Sequence, residues 1–212
     1  MKTKVAVLIS GRGSNLRALL EASADPAFPA EIALVVSNEP AAGGLGIARA
    51  AGVPTAVIDH RPFRGDRAAH EAAIQAALHG AGVGIVCLAG WMRLLTPYLV
   101  GLWRGRMLNI HPSLLPAFPG LDTHARALAA GAKLHGCTVH LVTEAMDDGP
   151  ILAQAAVPVL PGDTAESLAE RVLAAEHRLY PTALAAYLGV ATDSASAETI
   201  LFNPLPLVPR SA

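Results

Sequence analysis

The sequence predicts an α/β fold with a mostly parallel β-sheet and helices on both faces. Short apolar segments alternate with segments of helical spacing through residues 1–102, and the segment GIVCLAG at 84–90 is apolar throughout. Strands that alternate with helices form βαβ units, and a strand covered on both faces is a continuous apolar run. Residues 1–102 are therefore predicted to form a Rossmann-like half.

The elements of this first half follow one another in a regular order. We predict strands at 5–10, 32–37, 53–58 and 84–90, and helices at 14–24, near 43–51 and at 66–79. The first of these helices has Leu16, Leu19 and Leu20 at helical spacing, which gives it an apolar face. The alternation continues through the whole half, so a mostly parallel sheet is expected.

The second half, 103–212, has a mixed pattern. We predict a strand at 107–110, a short helix at 123–130, and two further strands at 137–142 and 151–159. A turn at 147–150 separates the last two strands, which we expect to be antiparallel. A long amphipathic helix is predicted at 165–188, with Asp163 or Thr164 as its N-cap. The tail, with prolines at 204, 206 and 209, is predicted to extend over the surface.

Length and composition indicate one domain with an ample core. The chain has 212 residues and is 52% hydrophobic, and its apolar runs are shorter than the roughly 18 residues of a membrane helix. The first residues lack the long apolar region and cleavage site of a signal peptide, so a cytoplasmic protein without a membrane partner is expected. The net charge of −1 indicates no polyelectrolyte-binding surface, and nucleic acid is not an expected partner. Cys87 and Cys137 lie in apolar runs without CxxC spacing, which favours buried thiols over a disulfide or a metal site.

The segment SGRGSNL at 10–16 joins the first strand to the first helix. Backbone N–H groups at a helix N-terminus favour an anion, glycines allow its close approach, and Ser14 and Asn15 add side-chain donors. Leu16 stands where a dinucleotide fingerprint has its third glycine, and no GK[ST] follows, so neither of those motifs is present. Two interpretations remain open: an anion-binding loop, or a plain glycine turn with Ser14 as N-cap.

The segment AGWMRLL at 89–95 follows a buried strand, at the carboxyl end where ligands bind in open α/β sheets. Met92, Leu94 and Leu95 are apolar and suit the wall of a flat aromatic pocket. By itself, however, the segment favours core packing with a surface Arg93.

Asn109 and His111 are two residues apart at the end of the strand predicted at 107–110. Side chains at i and i+2 leave a strand on the same face. A carboxamide and an imidazolium can both donate to a developing oxyanion, and an imidazole can also move a proton. Asp147 or Asp148, in the later turn, could support the imidazolium. His135 and His140 are five residues apart on a strand and therefore face opposite sides, which argues against a shared metal.

Taken together, these segments resemble the phosphoribosylglycinamide formyltransferases, the folate-dependent enzymes of purine synthesis. The resemblance covers nearly the whole chain and is carried by ISGRGSNL, LAGWMRLL, LNIHPSLLPAFPGLDTH, HGCTVHLVTEAMDDGP and AEHRLYP. It implies a single formyltransferase domain over 1–212, with a phosphate-binding half at 1–102 and a catalytic and folate-binding half at 103–212.

The resemblance also implies a role for particular positions. Gly13, Ser14 and Asn15 match the loop that holds the substrate phosphate, and Glu176 matches an acidic residue on the glycinamide side. Asn109, His111 and Asp147 match the catalytic set. The implied folate-binding residues are Arg67, Met92, Arg93, Leu94, Leu95 and Asn109, with Arg64 as the alternative to Arg67.

The resemblance implies direct transfer of a formyl group from 10-formyltetrahydrofolate to the amine of 5'-phosphoribosylglycinamide, without a metal. The expected partners are these two small molecules, and the expected assembly is a monomer or a homodimer. Two alternatives remain: hydrolysis of formyltetrahydrofolate, in which water replaces the amine, and a non-catalytic nucleotide-binding module. The second would explain the loop at 10–16 but would leave Asn109, His111 and Asp147 without a function.

Overall fold

The computed structural model describes residues 1–190 and 200–201. The strands are β1 (Thr3–Ile9), β2 (Ala30–Ser37), β3 (Thr55–Val57), β4 (Ile85–Leu88), β5 (Met107–His111), β6 (Leu134–Leu141), β7 (Ile151–Pro158) and β8 (Ile200–Leu201). The helices are α1 (Ser14–Ser23), α2 (Gly43–Ala50), α3 (Arg67–Gly80), α4 (Pro97–Leu102), α5 (Thr123–Ala129) and α6 (Ala165–Val190), with a 3-10 turn at Arg61–Phe63. The extended tail predicted for the prolines at 204, 206 and 209 lies outside the described residues.

All the described strands form one sheet in the order β3-β2-β1-β4-β5-β6-β7-β8. The strands from β3 to β5 are parallel, as predicted, and β6 is antiparallel to both β5 and β7. The antiparallel pair predicted for 137–142 and 151–159 is therefore confirmed. The chain runs outward from β1 to β3 and then returns to β4 on the other side of β1. Ligands bind at such a switch point in open α/β sheets.

Helices cover both faces of the sheet, and the alternation of β1 shows how. Val5, Val7 and Ile9 pack in one apolar cluster with residues of α1, α2 and α6. Ala6 and Leu8 pack on the other face with residues of α3 and α4. Successive side chains of a strand point to opposite faces, so a strand between two helical layers must be apolar throughout. The predicted Rossmann-like architecture with helices on both faces is confirmed.

Local hydrogen bonds explain where two helices begin. Asp66 caps α3, since its Oδ1 accepts the N–H of Ala69 at 2.9 Å. Thr164 caps α6, since its Oγ1 accepts the N–H of Ser167 at 3.2 Å. Asp163, the other predicted cap, instead accepts the N–H of Leu160 and binds Arg171.

Two elements differ from the sequence predictions: α4 was not predicted, and the strand predicted at 53–58 is shorter in the structure. Helix α4 has six residues and begins with Pro97, which suits the first turn of a helix but leaves too little sequence for a periodic pattern. Strand β3 spans Thr55–Val57 only, because Pro54 precedes it and the chain bends at His60, before the 3-10 turn.

Candidate active site

The loops that follow β1 and β4 meet beside the end of β5. The N–H of Ala89 donates to the carbonyl of Leu8 at 2.9 Å, and the N–H of Ser10 donates to that of Gly90 at 3.1 Å. In the next strand Asn109 pairs with Leu88. The segments 10–16, 89–95 and 107–111, which the sequence singled out separately, therefore lie at one edge of the sheet.

His111 and Asp147 are in contact at this edge. The Nδ1 atom of His111 lies 3.4 Å from Oδ2 of Asp147, and Nε2 lies 3.1 Å from the carbonyl oxygen of Phe118. Both ring nitrogens face acceptors, an arrangement in which the imidazolium can donate from each. His111 is 5% exposed, so its contacts lie in a largely water-free site.

Asp147 is held in place by the backbone. It has a left-handed conformation with φ of 54°, in the turn between β6 and β7. Its Oδ2 atom accepts the N–H of Gly120 at 2.8 Å, which ties this turn to the loop that follows β5. Asp148, which the sequence left open as an alternative, is exposed. The structure therefore brings Asp147, and not Asp148, to His111.

His140 completes the cluster, and sequence reasoning did not assign it to the site. It lies opposite Asn109 in the register of β5 and β6. Its Nε2 atom is 3.1 Å from Nδ2 of Asn109 and 3.8 Å from Oδ1 of Asp147. Cross-strand neighbours share a face of the sheet, but only the register shows which residues are neighbours. A single sequence gives no signal for that register.

The hydrogen bonds of His140 determine how the Asn109 carboxamide is oriented. Nδ1 of His140 lies 3.0 Å from the carbonyl oxygen of Leu141 and must carry a proton to bond it. Burial lowers the pKa of His140, against the opposing effects of Leu141 and Asp147, and this favours the neutral ring. In the neutral ring with its proton on Nδ1, Nε2 is an acceptor. Asn109 therefore donates one amide N–H to His140 and has a second N–H for a ligand.

The ring of His135 packs against the rings of Phe118 and His124. Its Nε2 atom is 3.2 Å from Nδ1 of His124, and burial lowers its pKa to about 4. Within residues 1–190 and 200–201, no group of three or more His, Cys, Asp or Glu side chains has the geometry of a metal site.

The loop at 10–16 ends at the N-terminus of α1. Gly13 is the N-cap with φ of 79°, and Ser14 is the first helical residue, so the prediction of Ser14 as N-cap is wrong. The choice between an anion-binding loop and a plain glycine turn stays open on this point. A Cβ atom on Gly13 would lie 2.5 Å from Cα of Gly44, where α2 begins. Gly13 itself provides no side-chain cap, which leaves backbone N–H groups of the first turn for an anion.

Asn15 and Glu176 are bonded to each other beneath this loop. Nδ2 of Asn15 donates to Oε2 of Glu176 at 2.7 Å, and no described group bonds Oδ1 of Asn15. Burial raises the pKa of Glu176 to about 7, although the Asn15 hydrogen bond opposes this effect. The side-chain donor of Asn15 is therefore directed to Glu176 and not into the loop.

The segment 91–96 exposes apolar side chains beside β4. Met92 is 73% exposed and Leu94 is 58% exposed, whereas Leu95 packs against the core and Arg93 is half-buried. Core packing therefore accounts for Leu95 but not for Met92 or Leu94. These two side chains offer an uncovered apolar surface at the carboxyl end of the strand.

Arg64 and Arg67 lie close together in the chain where α3 begins. Arg67 is the first residue of that helix, and Arg64 follows the 3-10 turn with φ of 49°. Both are exposed, and within the described residues neither side chain forms a hydrogen bond or an ion pair. The structure does not bring either of them into the cluster around His111.

Comparison with known proteins gives the class of protein that this fold and site define. Residues 3–184 match the family model described as formyl transferase. The match covers most of the chain, so the chain belongs to the formyl transferase family.

Within the described residues no helix is long and apolar enough to cross a membrane.

The relatives are more specific than the family. The chain is 42% identical over 177 residues to a phosphoribosylglycinamide formyltransferase of Escherichia coli, covering 84% of this chain and 83% of that protein. The crystal structure of a phosphoribosylglycinamide formyltransferase from Brucella melitensis matches with 59% identity and a TM-score of 0.85, covering 89% of this chain and 96% of the other. The resemblance stated from the sequence motifs is confirmed.

The chain also matches part of a longer protein. It is 51% identical over 183 residues to the trifunctional purine biosynthetic protein adenosine-3 of Bos taurus. The match covers 86% of this chain but spans only 18% of that relative's length.

Proposed function

We propose that this chain transfers the formyl group of 10-formyltetrahydrofolate to the amine of 5'-phosphoribosylglycinamide, a step of purine biosynthesis. The observation that carries the proposal is the cluster of Asn109, His111, His140 and Asp147 at the carboxyl edge of the sheet. It combines an oriented amide donor, an imidazole between two acceptors and a carboxylate. Membership of the formyl transferase family and the names of the relatives support it.

The proposed reaction is a direct transfer. The glycinamide nitrogen attacks the formyl carbon, and a C–N bond forms as the carbonyl electron pair moves to oxygen. The second N–H of Asn109 and the positively charged His111 stabilise this oxyanion. The proton lost by the attacking nitrogen passes through water near Asp147 to the folate nitrogen. The bond between the formyl carbon and that nitrogen then breaks, and tetrahydrofolate leaves.

The carbonyl of Phe118 occupies Nε2 of His111 in the described structure. Phe118 has a left-handed backbone with φ of 55°, in the loop between β5 and α5. If Nε2 is the atom that faces the formyl oxygen, this carbonyl must give way when the donor binds. The Nδ1 contact with Asp147 is unaffected by that exchange and holds the ring in place.

The proposed ribonucleotide site is formed by Gly13, Ser14, Asn15 and Glu176. The phosphate accepts backbone N–H groups at the start of α1 and the hydroxyl of Ser14. Asn15 contributes its backbone there, because its carboxamide donates to Glu176. Glu176 lies toward the glycinamide, with Asn15 holding its carboxyl group.

The proposed folate site uses Asn109, the segment Met92 to Leu95 and Arg67. Met92 and Leu94 supply the exposed apolar surface that a flat pteridine ring needs. Arg67, or Arg64 in its place, is a cation for a folate carboxylate. These residues come from both halves of the chain, and the pairing of β4 with β5 makes the sheet continuous across residue 102. We therefore propose one domain with the donor bound where the halves meet.

The proposed location is the cytoplasm. Cys87 and Cys137 are buried and not joined in a disulfide. Unpaired thiols fit a reducing compartment.

One assay separates this proposal from its two rivals. The protein is supplied with 10-formyltetrahydrofolate, with and without 5'-phosphoribosylglycinamide, and the release of tetrahydrofolate is followed. Release that depends strictly on the ribonucleotide supports formyl transfer. Release without it indicates hydrolysis, and no release under either condition indicates a binding module.

A further inference from the structure

The segment 91–96 is fixed at both ends by side chains from other elements. At its start, the N–H of Met92 donates to Oγ of Ser10 at 2.9 Å, and the Ser10 hydroxyl donates to Oδ1 of Asn38 at 2.6 Å. At its end, the N–H of Thr96 donates to Oε1 of Glu71 at 2.7 Å, and the Thr96 hydroxyl donates to Oε2. Residues 93–95 lie between these two attachments.

Glu71 is a buried carboxylate whose hydrogen-bond partner in the described structure is Thr96. It is 2% exposed and lies on α3. A carboxylate is costly to remove from water unless its oxygens are bonded. The side chain of Thr96 makes no capping bond to α4, although Thr96 is the N-cap of that helix. Its hydroxyl and its backbone N–H both donate to Glu71 instead.

Helix α3 holds the other end of the segment as well. His70, next to Glu71, stacks on Trp91 with ring centroids 6.4 Å apart and planes 10° apart. The same helix begins with Arg67, one turn before Glu71. Adjacent residues of α3 therefore contact the two ends of a segment whose middle exposes Leu94.

We propose that Glu71 is a positioning residue for the formyl donor. It holds Thr96, so that Met92 and Leu94 are already ordered when the folate arrives, and it fixes their distance from Arg67. The inference rests on the proposed function, since it takes the folate to bind at 92–95. A segment freed at one end must be ordered by the ligand, and that cost weakens binding. The ribonucleotide binds elsewhere and does not meet this cost.

The test compares Glu71→Leu with Glu71→Gln. Leucine leaves the Thr96 N–H unpaired, whereas the glutamine oxygen can accept that N–H and its amide can donate to the Thr96 hydroxyl. The probe is 5-formyltetrahydrofolate, a stable isomer of the donor, titrated by calorimetry. Losing a hydrogen bond to a charged group predicts that Glu71→Leu weakens probe binding about tenfold or more, while Glu71→Gln stays within about threefold of the parent. The KM for the donor rises in parallel, and kcat at saturation stays at the parental value.

Asp163→Asn is the matched control. Asp163 also receives a backbone N–H and a hydroxyl next to a helix, and it binds Arg171, but its partners lie within 160–171. Its loss lowers stability without touching the segment at 91–96. We expect Asp163→Asn to bind the probe and the ribonucleotide as the parent does.

The binding measurements on these variants either support or overturn the positioning role of Glu71. Selective loss of probe affinity in Glu71→Leu, with recovery in Glu71→Gln, supports the positioning role. Parental affinity in Glu71→Leu overturns it, as does equal weakening of both ligands. A parent that fails to bind the probe overturns the proposed folate site itself, which separates that failure from this one. If Glu71→Leu does not fold, Thr96→Val removes the hydroxyl bond alone, and undiminished probe affinity in that variant overturns the role.

Discussion

One imidazole, that of His140, determines which atom of the Asn109 carboxamide is free for a ligand. His140 receives an amide N–H of Asn109 at 3.1 Å, and its own Nδ1 proton is held by Leu141. Without this acceptor the amide could rotate by 180° and present its oxygen to the developing oxyanion. An acceptor there would oppose the negative charge that a donor stabilises. We therefore expect His140 to act on the proposed reaction through Asn109.

Removing Asn109 and His140 singly and together tests this dependence. Loss of an oxyanion donor predicts that Asn109→Ala lowers kcat by roughly 10²–10³. We expect His140→Ala to lower kcat by at least about tenfold, and the double variant to be little worse than Asn109→Ala alone, because His140 acts through the missing amide.

His135→Ala is the control for that cycle. It removes a buried histidine of the same strand whose ring contacts His124 and not Asn109. Its effect on kcat should add to that of Asn109→Ala. A His140→Ala effect that also adds in full would show that His140 does not act through the amide.

Glu176 makes stability depend on pH. Burial raises the pKa of Glu176 from its ordinary value of 4.5 to about 7, so the folded state holds this proton more tightly than the unfolded state. Its contribution to stability is fully present below pH 4.5 and is lost as the pH rises to about 7. Glu176→Gln removes the ionisation. The variant should gain up to about 3 kcal/mol of unfolding free energy over the parent above pH 7, and little near pH 4.5.

Urea unfolding at several pH values measures this difference. Glu170→Gln, an exposed change on the same helix, should leave the pH dependence unchanged. If the unfolding free energy of Glu176→Gln differs from that of the parent by the same amount at all pH values, Glu176 does not titrate in this range.

The N-termini of α1 and α2 meet at two glycines, and this contact shapes the predicted phosphate loop. The N–H of Gly44 donates to the carbonyl of Gly11 at 3.1 Å, and Gly13 touches Gly44 directly. A side chain at Gly13 would have to push the two helices apart. Gly13 is therefore required by packing as well as by any anion.

Gly13→Ala should cost stability and ribonucleotide affinity together. A non-glycine residue in a left-handed conformation costs of order 1–3 kcal/mol, and the contact with Gly44 adds to this. Gly11→Ala is the matched control, because no atom lies within 4 Å of a Cβ at Gly11. Urea unfolding and ribonucleotide titration should separate the two variants. If both are equally stable and bind equally well, the helix contact does not fix the loop.

The elements that sequence could predict are those with a local signal. The apolar runs gave β1, β2, β4 and β5, and the i, i+2 spacing placed Asn109 and His111 together. The contacts that complete the site join residues far apart in the chain, such as Asn15 with Glu176, 161 positions later. The contact of His140 with Asn109 can be predicted only when the register of β5 and β6 is known. The contact of Glu71 with Thr96 can be predicted only when the packing of α3 against the segment before α4 is known. Neither leaves a periodic trace in the sequence.

At the scale of the whole molecule, the described strands form a single sheet. The two proposed substrates approach one edge of this sheet from different strands. The loop after β1 is proposed for the phosphate, and the segment after β4 for the folate. The formyl group of the folate is proposed to react near Asp147, in the turn after β6. A ligand that binds only the folded state stabilises it, so each substrate alone should raise Tm. With 5-formyltetrahydrofolate, amide hydrogen exchange should slow at 88–95 and 142–149. Slowing confined to 11–16 would show that the folate site has been placed wrongly.

The most direct test of the account is the single-turnover rate of formyl transfer in Asp147→Asn. Asparagine keeps the shape of the side chain but removes the negative charge 3.4 Å from His111 Nδ1. Asp148→Asn removes an exposed carboxylate from the neighbouring position and serves as the control. We expect the chemical step to be at least roughly 10²-fold slower in Asp147→Asn, within the range typical of general acid–base catalysis, with both substrates still bound. We expect Asp148→Asn to react at the parental rate. A parental rate in Asp147→Asn would contradict the account.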